Sequence, residues 1–187
     1  MIDKAKSVID AVKEKMQGAV TYLDEDLKTY RAGKANPAVF NSVVVNYYGT
    51  MTPIPQVASI STPDAKTMLI QPWDRNLIHP VEKAIMDANL GFTPQNNGEV
   101  IRINIPALTE DRRKELVKKA RTAGENAKVG VRNARRDAIE SLKKLQKEGL
   151  PKDTEKDFED EVQKLTDNFS KKIDEILSAK EKEVMTV

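Results

Sequence analysis

The residues with the clearest chemical potential are the lysines and arginines of one segment, residues 109–147. At helical spacing, eight of these cations fall within an arc of about 100° on the helix surface. We call this set the basic stripe: Lys114, Lys118, Arg121, Lys128, Arg132, Arg135, Arg136 and Lys143. Most acidic side chains of the segment lie on another arc, and Glu125 is the main interruption. A line of cations on a rigid helix can contact successive phosphates and release their counterions, so the stripe favours RNA or DNA as a partner.

A basic helix face can also be no more than a solvated face. The chain would then be a non-catalytic helical adaptor or chaperone-like protein that docks a protein partner. The two interpretations differ in salt dependence, because displacement of phosphate counterions makes binding fall steeply as salt is added.

Residues suited to catalysis are scarce. The single histidine, His79, directly precedes Pro80 at a predicted helix start, where a loop or capping role is expected rather than that of a general base. The absence of cysteine excludes thiol nucleophiles and thiolate metal sites, and no phosphate-binding loop motif is present. We therefore expect no catalytic residues, no metal and no cofactor. A small enzyme that uses a cleft between domains is a further alternative, but the sequence offers no candidate residue for it.

Composition limits the class of protein. The 187 residues carry a net charge of +2, 39% are hydrophobic and 32% are charged. No apolar run approaches the length of a membrane span, and the N-terminal residues alternate charged and apolar side chains. We expect a soluble cytoplasmic protein that does not interact with a membrane.

The segment that carries the stripe also has an apolar seam, which predicts a long helix with one core-facing side. The seam comprises Leu116, Ala120, Ala123, Ala127, Val131, Ala134, Ala138, Leu142 and Leu145. Thr109 is a suitable N-cap for this helix, and Gly149 and Pro151 should end it. Gly124 and Gly130 are expected to soften it.

Two further segments show the same three-four rhythm, residues 2–30 and a final helix capped by Asp153 or Thr154. Gly18 within the first suggests close approach of a neighbouring helix. None of the three helices can bury its seam alone, so we predict a three-helix bundle. Because the three seams can satisfy one another within one chain, we expect a monomer.

The residues between the first two long helices have a different amino-acid composition. Eight of the nine prolines lie between Arg31 and Pro106. Short β-branched or aromatic runs predict strands at 43–48, 57–60, 68–71 and 100–104, and residues 80–90 predict a helix. Residues 62–64 suggest a short helical turn. The predicted fold is α+β: a long three-helix bundle formed by residues 1–30 and 106–187, with a small α/β domain, residues 31–105, inserted between helices 1 and 2.

The chain must cross between the two domains twice. One crossing lies at Tyr30 and Arg31, and the other at Asn104, Ile105 and Pro106. Two adjacent short linkers favour bending about one axis, so these residues form a candidate hinge. A rigid corner with a packed interface is the alternative.

Six blocks of the sequence, in order, resemble the bacterial ribosome recycling factor family over nearly the full length. They are RAGKANP at 31–37, YYGTMTP at 47–53, VEKAI at 81–85, LTEDRRKEL at 108–116, VRNARRD at 131–137 and QKLTD at 163–167. The resemblance implies an L-shaped, two-domain protein that binds the ribosome after termination. With elongation factor G, which hydrolyses GTP, such a factor splits the post-termination complex into subunits.

The resemblance also implies which residues contact large-subunit ribosomal RNA. The positions that match the family's contacts are Arg132 and Arg135, with Arg136 beside them, and all three belong to the basic stripe. Lys118, Arg121 and Lys128 join them as stripe residues on the same helix. Arg113 matches another family arginine, but its phase between seam and stripe makes a structural role equally compatible with the sequence.

Overall fold

The computed structural model describes residues 1–30 and 33–186, which form two compact units. One unit contains Met1–Tyr30 and the chain from Glu110 onward, and the other contains the intervening segment up to Thr109. The second boundary was predicted between Ile105 and Pro106. It lies four residues later, and Leu108 packs beside Gly33 inside the second unit.

The α-helices of the described residues are α1 (Ile2–Lys28), α2 (Ile78–Asp87), α3 (Glu110–Lys147) and α4 (Lys152–Met185). Helices α1, α3 and α4 form the predicted bundle, and each packs against the other two. Together with the small sheet-containing unit, they confirm the predicted α+β class.

Helix α3 runs without interruption through both of its glycines. Its buried line follows the predicted seam with one change, because Gly124 rather than Ala123 faces the core, beside Leu177 of α4. Gly130 lies next to Ala19 of α1, whereas Gly18 has open space around it, so the prediction of a close approach at Gly18 was wrong.

The end of α3 is fixed by Gly149, whose φ of +121° is readily adopted only by glycine. The Gly149 N–H donates to the Gln146 carbonyl at 3.1 Å, and the Leu150 N–H donates to the Leu145 carbonyl at 2.9 Å. This pair of bonds is a Schellman motif, and Leu150 is buried beneath it. Helix α4 then begins at Lys152 with Pro151 at its N-cap, so the predicted caps Asp153 and Thr154 lie inside the first turn instead.

The inserted unit contains two sheets. Strands β1 (Val44–Tyr47) and β2 (Thr50–Pro53) form an antiparallel hairpin. Strands β3 (Ala58–Asp64), β4 (Thr67–Pro72), β5 (Pro94–Asn96) and β6 (Ile101–Asn104) form an antiparallel sheet in the order β3-β4-β6-β5. Its core is formed by buried aliphatic side chains and Phe40, with Val81 and Ile85 of α2 fully buried among them.

Two expectations for this unit were wrong in detail, and two strands were missed. Residues 62–64 continue β3 through a register shift instead of forming a helical turn, and the Asp64 carboxylate accepts the Lys66 N–H at 2.9 Å in the turn that follows. Helix α2 starts two residues before Pro80 and stops at Asp87, because Asn89 already adopts a left-handed φ of +50°. Strands β2 and β5 were not predicted, since short segments rich in threonine, proline and asparagine carry little strand signal.

Candidate nucleic-acid interface

The predicted RNA-binding residues all lie on α3, and their surroundings divide six cations of the basic stripe into two rows. The rows differ in whether the cations are already engaged by α4. Because the helix is continuous from Glu110 to Lys147, the positions of the cations in each row are fixed relative to one another.

The first row, which we call the paired row, consists of Arg121, Lys128 and Arg135, spaced by seven residues. The Arg121 guanidinium donates to both oxygens of Glu181, at 2.6 and 3.4 Å. The Lys128 ammonium lies 2.7 Å from the Asp174 carboxylate. These acids recur at the same seven-residue interval on the antiparallel helix α4, so the paired row also holds the register of α3 against α4.

Arg135 completes this row through an amide. Its Nε donates to Gln163 Oε1 at 2.8 Å, and Gln163 Nε2 donates to Asp167 at 2.9 Å. The guanidinium is therefore oriented while only one of its donor groups is used, which leaves the others available to a phosphate. Hydrogen bonding to Glu181, with its negative charge, raises the pKa of Arg121 in the same row.

The second row, the free row, consists of Lys118, Arg132 and Arg136. All three side chains are exposed and have no hydrogen bond or ion pair with any of the described residues. Arg132 and Arg136 are one helical turn apart, about 6 Å along the axis. Unengaged cations on a rigid helix are suited to phosphate contacts, because no internal ion pair has to break before they bind.

Two other basic residues differ from the free row. Lys114 of the stripe pairs with Glu110, one turn earlier, at 3.4 Å. Arg113 lies three residues before Leu116, on the buried side of α3, and its Nε is buried without a hydrogen-bond partner among the described residues. Arg113 is thus only partly accessible, unlike the exposed side chains of the free row.

The predicted hinge begins with Tyr30, which is fixed within the bundle. Its carbonyl accepts a hydrogen bond from the buried Lys180 ammonium at 2.8 Å, its hydroxyl donates to Asp26 at 3.1 Å, and Lys119 lies 4.5 Å from its ring centroid. Burial, with a smaller effect from Asp26, raises the pKa of Tyr30 to about 12. Sequence reasoning missed Lys180, because a lysine on an amphipathic helix is expected to be solvated.

The other hinge residues belong to the inserted unit, except for Arg31, which lies outside the described residues. Asn104 is the last residue of β6, and the Ile105 N–H donates to the Lys66 carbonyl at 2.7 Å. Pro106 is exposed and lies outside any helix or strand. The crossing that follows β6 is therefore fixed to the sheet by backbone hydrogen bonds as far as Ile105.

A groove of about 670 Å³ runs between α1 and α3 in the bundle. Apolar side chains such as Leu23 and Ala127 form its floor, and Asp26, Glu115, Lys118 and Lys119 contribute charges. His79 is on the inserted unit instead, with its side chain 88% exposed. Among residues 1–30 and 33–186, no group of three His, Cys, Asp or Glu side chains could hold a metal ion, and no helix is long and apolar enough to cross a membrane.

Comparison with known proteins identifies the family. The sequence profile of the family described as "Ribosome recycling factor" matches residues 23–185. The chain is 57% identical over 188 residues to the ribosome-recycling factor of Parabacteroides distasonis, with 100% of both chains covered. It is 55% identical over 183 residues to that of Porphyromonas gingivalis, covering 97% of this chain and 98% of the relative.

Solved structures give the same result. A solution structure of the ribosome recycling factor matches with a TM-score of 0.83 at 38% identity, with 100% of both chains covered. The T. thermophilus ribosome recycling factor, in a structure with E. coli elongation factor G bound to the E. coli post-termination complex, matches with a TM-score of 0.64 at 42% identity, covering 97% of this chain and 99% of that one. This chain belongs to the ribosome recycling factor family.

Proposed function

We propose that this chain recycles ribosomes: it binds the post-termination ribosome and, with elongation factor G and GTP, promotes dissociation into subunits and release from mRNA. Family membership and the relative described on a post-termination complex with elongation factor G support this proposal. The observation that carries the binding step is the free row on α3. Lys118, Arg132 and Arg136 are exposed cations without internal partners among the described residues.

In this function the bundle acts as a rigid basic rod on large-subunit ribosomal RNA. Arg132 and Arg136 contact phosphates directly, and Arg135, oriented by Gln163, adds a contact beside them. Arginine suits this role because its planar fork can hold two phosphate oxygens. Arg121 and Lys128 contribute long-range attraction while they remain bonded to α4.

Residues 31–109 act as a second domain joined to the bundle through two short crossings. The free energy for splitting comes from binding and from GTP hydrolysis by the partner, so the chain itself performs no covalent chemistry and needs no metal or cofactor. The protein acts in the cytoplasm, where translation takes place, as a single chain.

Light scattering of post-termination ribosomes tests this function. Ribosomes and elongation factor G from the same organism are mixed with the chain and GTP, and each component is omitted in turn. We expect scattering to fall only when all components are present. Unchanged scattering in the complete mixture, with a known recycling factor active under the same conditions, would contradict the proposal.

Binding to isolated large subunits at several salt concentrations tests the RNA contacts separately. Because each displaced phosphate counterion steepens the salt dependence, we expect a steep fall in affinity as salt rises. A shallow dependence would favour the protein-docking adaptor instead.

A further inference from the structure

The groove between α1 and α3 borders the free row but has a different chemistry. Its volume of about 670 Å³ lies within the range of small-molecule sites, about 300–1,000 Å³. Leu23 of α1 and the short side chains of Ala123 and Ala127 of α3 line it. Because alanine fills little space, the groove is left open to a planar ring from outside the bundle. Phosphate contacts alone make no use of such an apolar surface.

Tyr22 is the aromatic residue that this groove offers to a ligand. It is the only aromatic residue of α1, it lines the groove and it is 76% exposed. Its hydroxyl has no hydrogen bond with any of the described residues. A single exposed tyrosine on a flat surface would need no explanation. Beside an apolar groove, its ring is a stacking platform, and every nucleobase has an aromatic face that can stack on such a ring.

The charges around the groove favour an anionic ligand. Two cations, Lys118 and Lys119, and two acids, Asp26 and Glu115, line it. Arg112 lies 2.9 Å from the Glu115 carboxylate and offsets its charge. The Lys118 side chain has no hydrogen bond or ion pair with the described residues. With Arg112 included, three cations face two acids, so a phosphate is attracted to the Lys118 edge of the groove.

Polar side chains on α3 can recognise the edge of a base. Asn126 lines the groove, is exposed and makes no side-chain hydrogen bond with the described residues. Its amide offers both a donor and an acceptor, as the Watson–Crick edge of a base requires. The Thr122 hydroxyl donates to the Lys118 carbonyl at 3.1 Å and keeps its own acceptor capacity.

We propose that this groove binds an unpaired base of large-subunit ribosomal RNA. The base stacks on Tyr22, its edge bonds to Asn126, and its phosphate contacts Lys118. The proposal rests on the proposed function, which brings ribosomal RNA to α3. Lys118 connects the two surfaces, because it belongs to the free row and also lines the groove. A stacked and hydrogen-bonded base adds the selectivity for an RNA site that phosphate contacts lack. An apolar side chain of a protein partner would gain nothing from the adjacent cation.

Substitution of Tyr22 distinguishes stacking from phosphate contacts. Tyr22→Ala should lower the affinity for isolated large subunits about tenfold, as expected for the loss of one stacked base. The dependence of log affinity on log salt should keep its slope, because tyrosine displaces no phosphate counterion. Lys118→Ala should lower both the affinity and the slope, the slope by about one. The Tm of Tyr22→Ala should not fall, since alanine is favoured on an exposed helix position.

Two further variants serve as references. Tyr22→Phe keeps the ring and should restore binding to within about twofold of the wild type, because stacking does not need the hydroxyl. Met185→Ala removes an exposed apolar side chain at the end of α4, outside the groove, and should change neither affinity nor slope.

The outcomes separate this proposal from the proposed function. Wild-type affinity in Tyr22→Ala, or a loss that also reduces the salt slope, would overturn the base site and leave the proposed function intact. Failure of the wild-type chain to bind large subunits would instead contradict the proposed function.

Chemical probing of the RNA identifies the base. Dimethyl sulfate and a carbodiimide modify the Watson–Crick edges of unpaired bases, and primer extension locates the positions that bound protein protects. At equal occupancy of large subunits, we expect one unpaired base to be protected by the wild type and by Tyr22→Phe but not by Tyr22→Ala. Arg132→Ala should retain this protection, because Arg132 does not line the groove. If the protection of no base depends on Tyr22, the assignment is overturned, and the groove belongs to a protein or to another apolar ligand.

Discussion

Arg132 and Arg135 lie three residues apart on α3, yet only Arg135 is held by the bundle. Its Nε donates to Gln163, whereas Arg132 has no partner among the described residues. Arg132 should therefore contribute almost entirely to RNA binding, whereas Arg135 should contribute to both RNA binding and the stability of the bundle.

We predict that Arg132→Ala and Arg135→Ala each weaken large-subunit binding but differ in thermal stability. Loss of one partly exposed hydrogen bond should cost Arg135→Ala up to about 1 kcal/mol, a fall of about 2–4 °C in Tm for a chain of this size. Arg132→Ala should melt within about 1 °C of the wild type, because surface substitutions are usually near neutral. Calorimetry measures the Tm, and binding to large subunits at a fixed salt concentration measures the affinity.

Lys171→Ala is the control for lost charge, because Lys171 is an exposed cation on α4 outside the stripe. It should change neither quantity appreciably. Wild-type ribosome affinity in both arginine variants would rule out these residues as RNA contacts.

The glycines of α3 give a second test at residue scale. A Cβ at Gly124 would lie 2.2 Å from Leu177 Cδ1, whereas a Cβ at Gly130 would meet only Ala19, at 3.5 Å. Alanine in a helix is favoured over glycine by about 1 kcal/mol.

We predict that Gly130→Ala raises the free energy of unfolding by up to about 1 kcal/mol. Gly124→Ala should lower it by about 1 kcal/mol, because Leu177 must repack. Urea denaturation measures both, and equal stabilisation by the two substitutions would contradict the packing at Gly124.

At the scale of the helices, α4 contributes a lysine to the bundle interior. Lys180 is 8% exposed and donates to the Tyr30 carbonyl, 150 residues earlier in the sequence, at 2.8 Å. Lys180→Met keeps an unbranched stem but leaves this carbonyl without its donor. We expect a loss of about 1–3 kcal/mol in the free energy of unfolding. The exposed neighbour provides the control: Lys182→Met should be nearly neutral, and equal effects of the two substitutions would contradict the anchoring role of Lys180.

Helix α4 also carries a carboxyl group in an unfavourable place. Burial, followed by the hydrogen bond and charge of Glu155, raises the pKa of Glu159, and the Glu159 Oε1 atom is buried without a hydrogen-bond partner among the described residues. A carboxyl with a folded-state pKa above its unfolded value favours folding while it is protonated. This contribution is lost as the pH rises through the folded-state pKa.

Glu159→Gln should therefore stabilise the protein at pH 7 relative to low pH, because the buried amide stays uncharged whereas the carboxyl loses its proton as the pH rises. The gain should shrink as the pH falls toward about 4.3, the ordinary value for glutamate. Urea denaturation at both pH values measures the difference, and Glu161→Gln, at an exposed position of the same helix, provides the control. A gain that does not depend on pH would contradict this account of Glu159.

Periodicity was sufficient to predict most of the individual helices but not their partners. The helical spacing of residues 109–147 separated the core-facing side of α3 from its cationic side correctly, because both sides depend only on spacing along one helix. It could not predict that Arg121, Lys128 and Arg135 meet α4, since that depends on the alignment of two antiparallel helices. The left-handed conformation of Tyr48 was missed for a similar reason: it depends on the register of β1 against β2.

At the scale of the whole molecule, the three apolar seams and the proline-rich middle segment predicted the division into a bundle and an inserted sheet unit, but not where the crossings are held. Tyr30 is bonded into the bundle by Lys180, and Ile105 into the sheet unit by Lys66. Bending about the predicted hinge must then be absorbed beyond these two points. Pro106 and Ala107 are exposed and outside any helix or strand, but Leu108 packs beside Gly33 in the same unit, so we expect the bend between Leu108 and the start of α3 at Glu110.

We predict that the angle between the two units varies in the free protein and becomes restricted on the ribosome. The chain contains no cysteine, so Lys171→Cys on α4 and Met86→Cys on α2 allow one donor and one acceptor dye to be attached. Single-molecule energy transfer should give a broad distribution for the free chain, because two short linkers favour bending about one axis, and a narrower one with post-termination ribosomes. A pair of dyes within the bundle, at Lys171→Cys and Lys6→Cys, should give the same narrow distribution in both states and so reports the width due to the dyes. If the pair between the units is as narrow as the bundle pair in the free chain, the units form a rigid corner, and elongation factor G must act by displacing the whole molecule rather than by bending it.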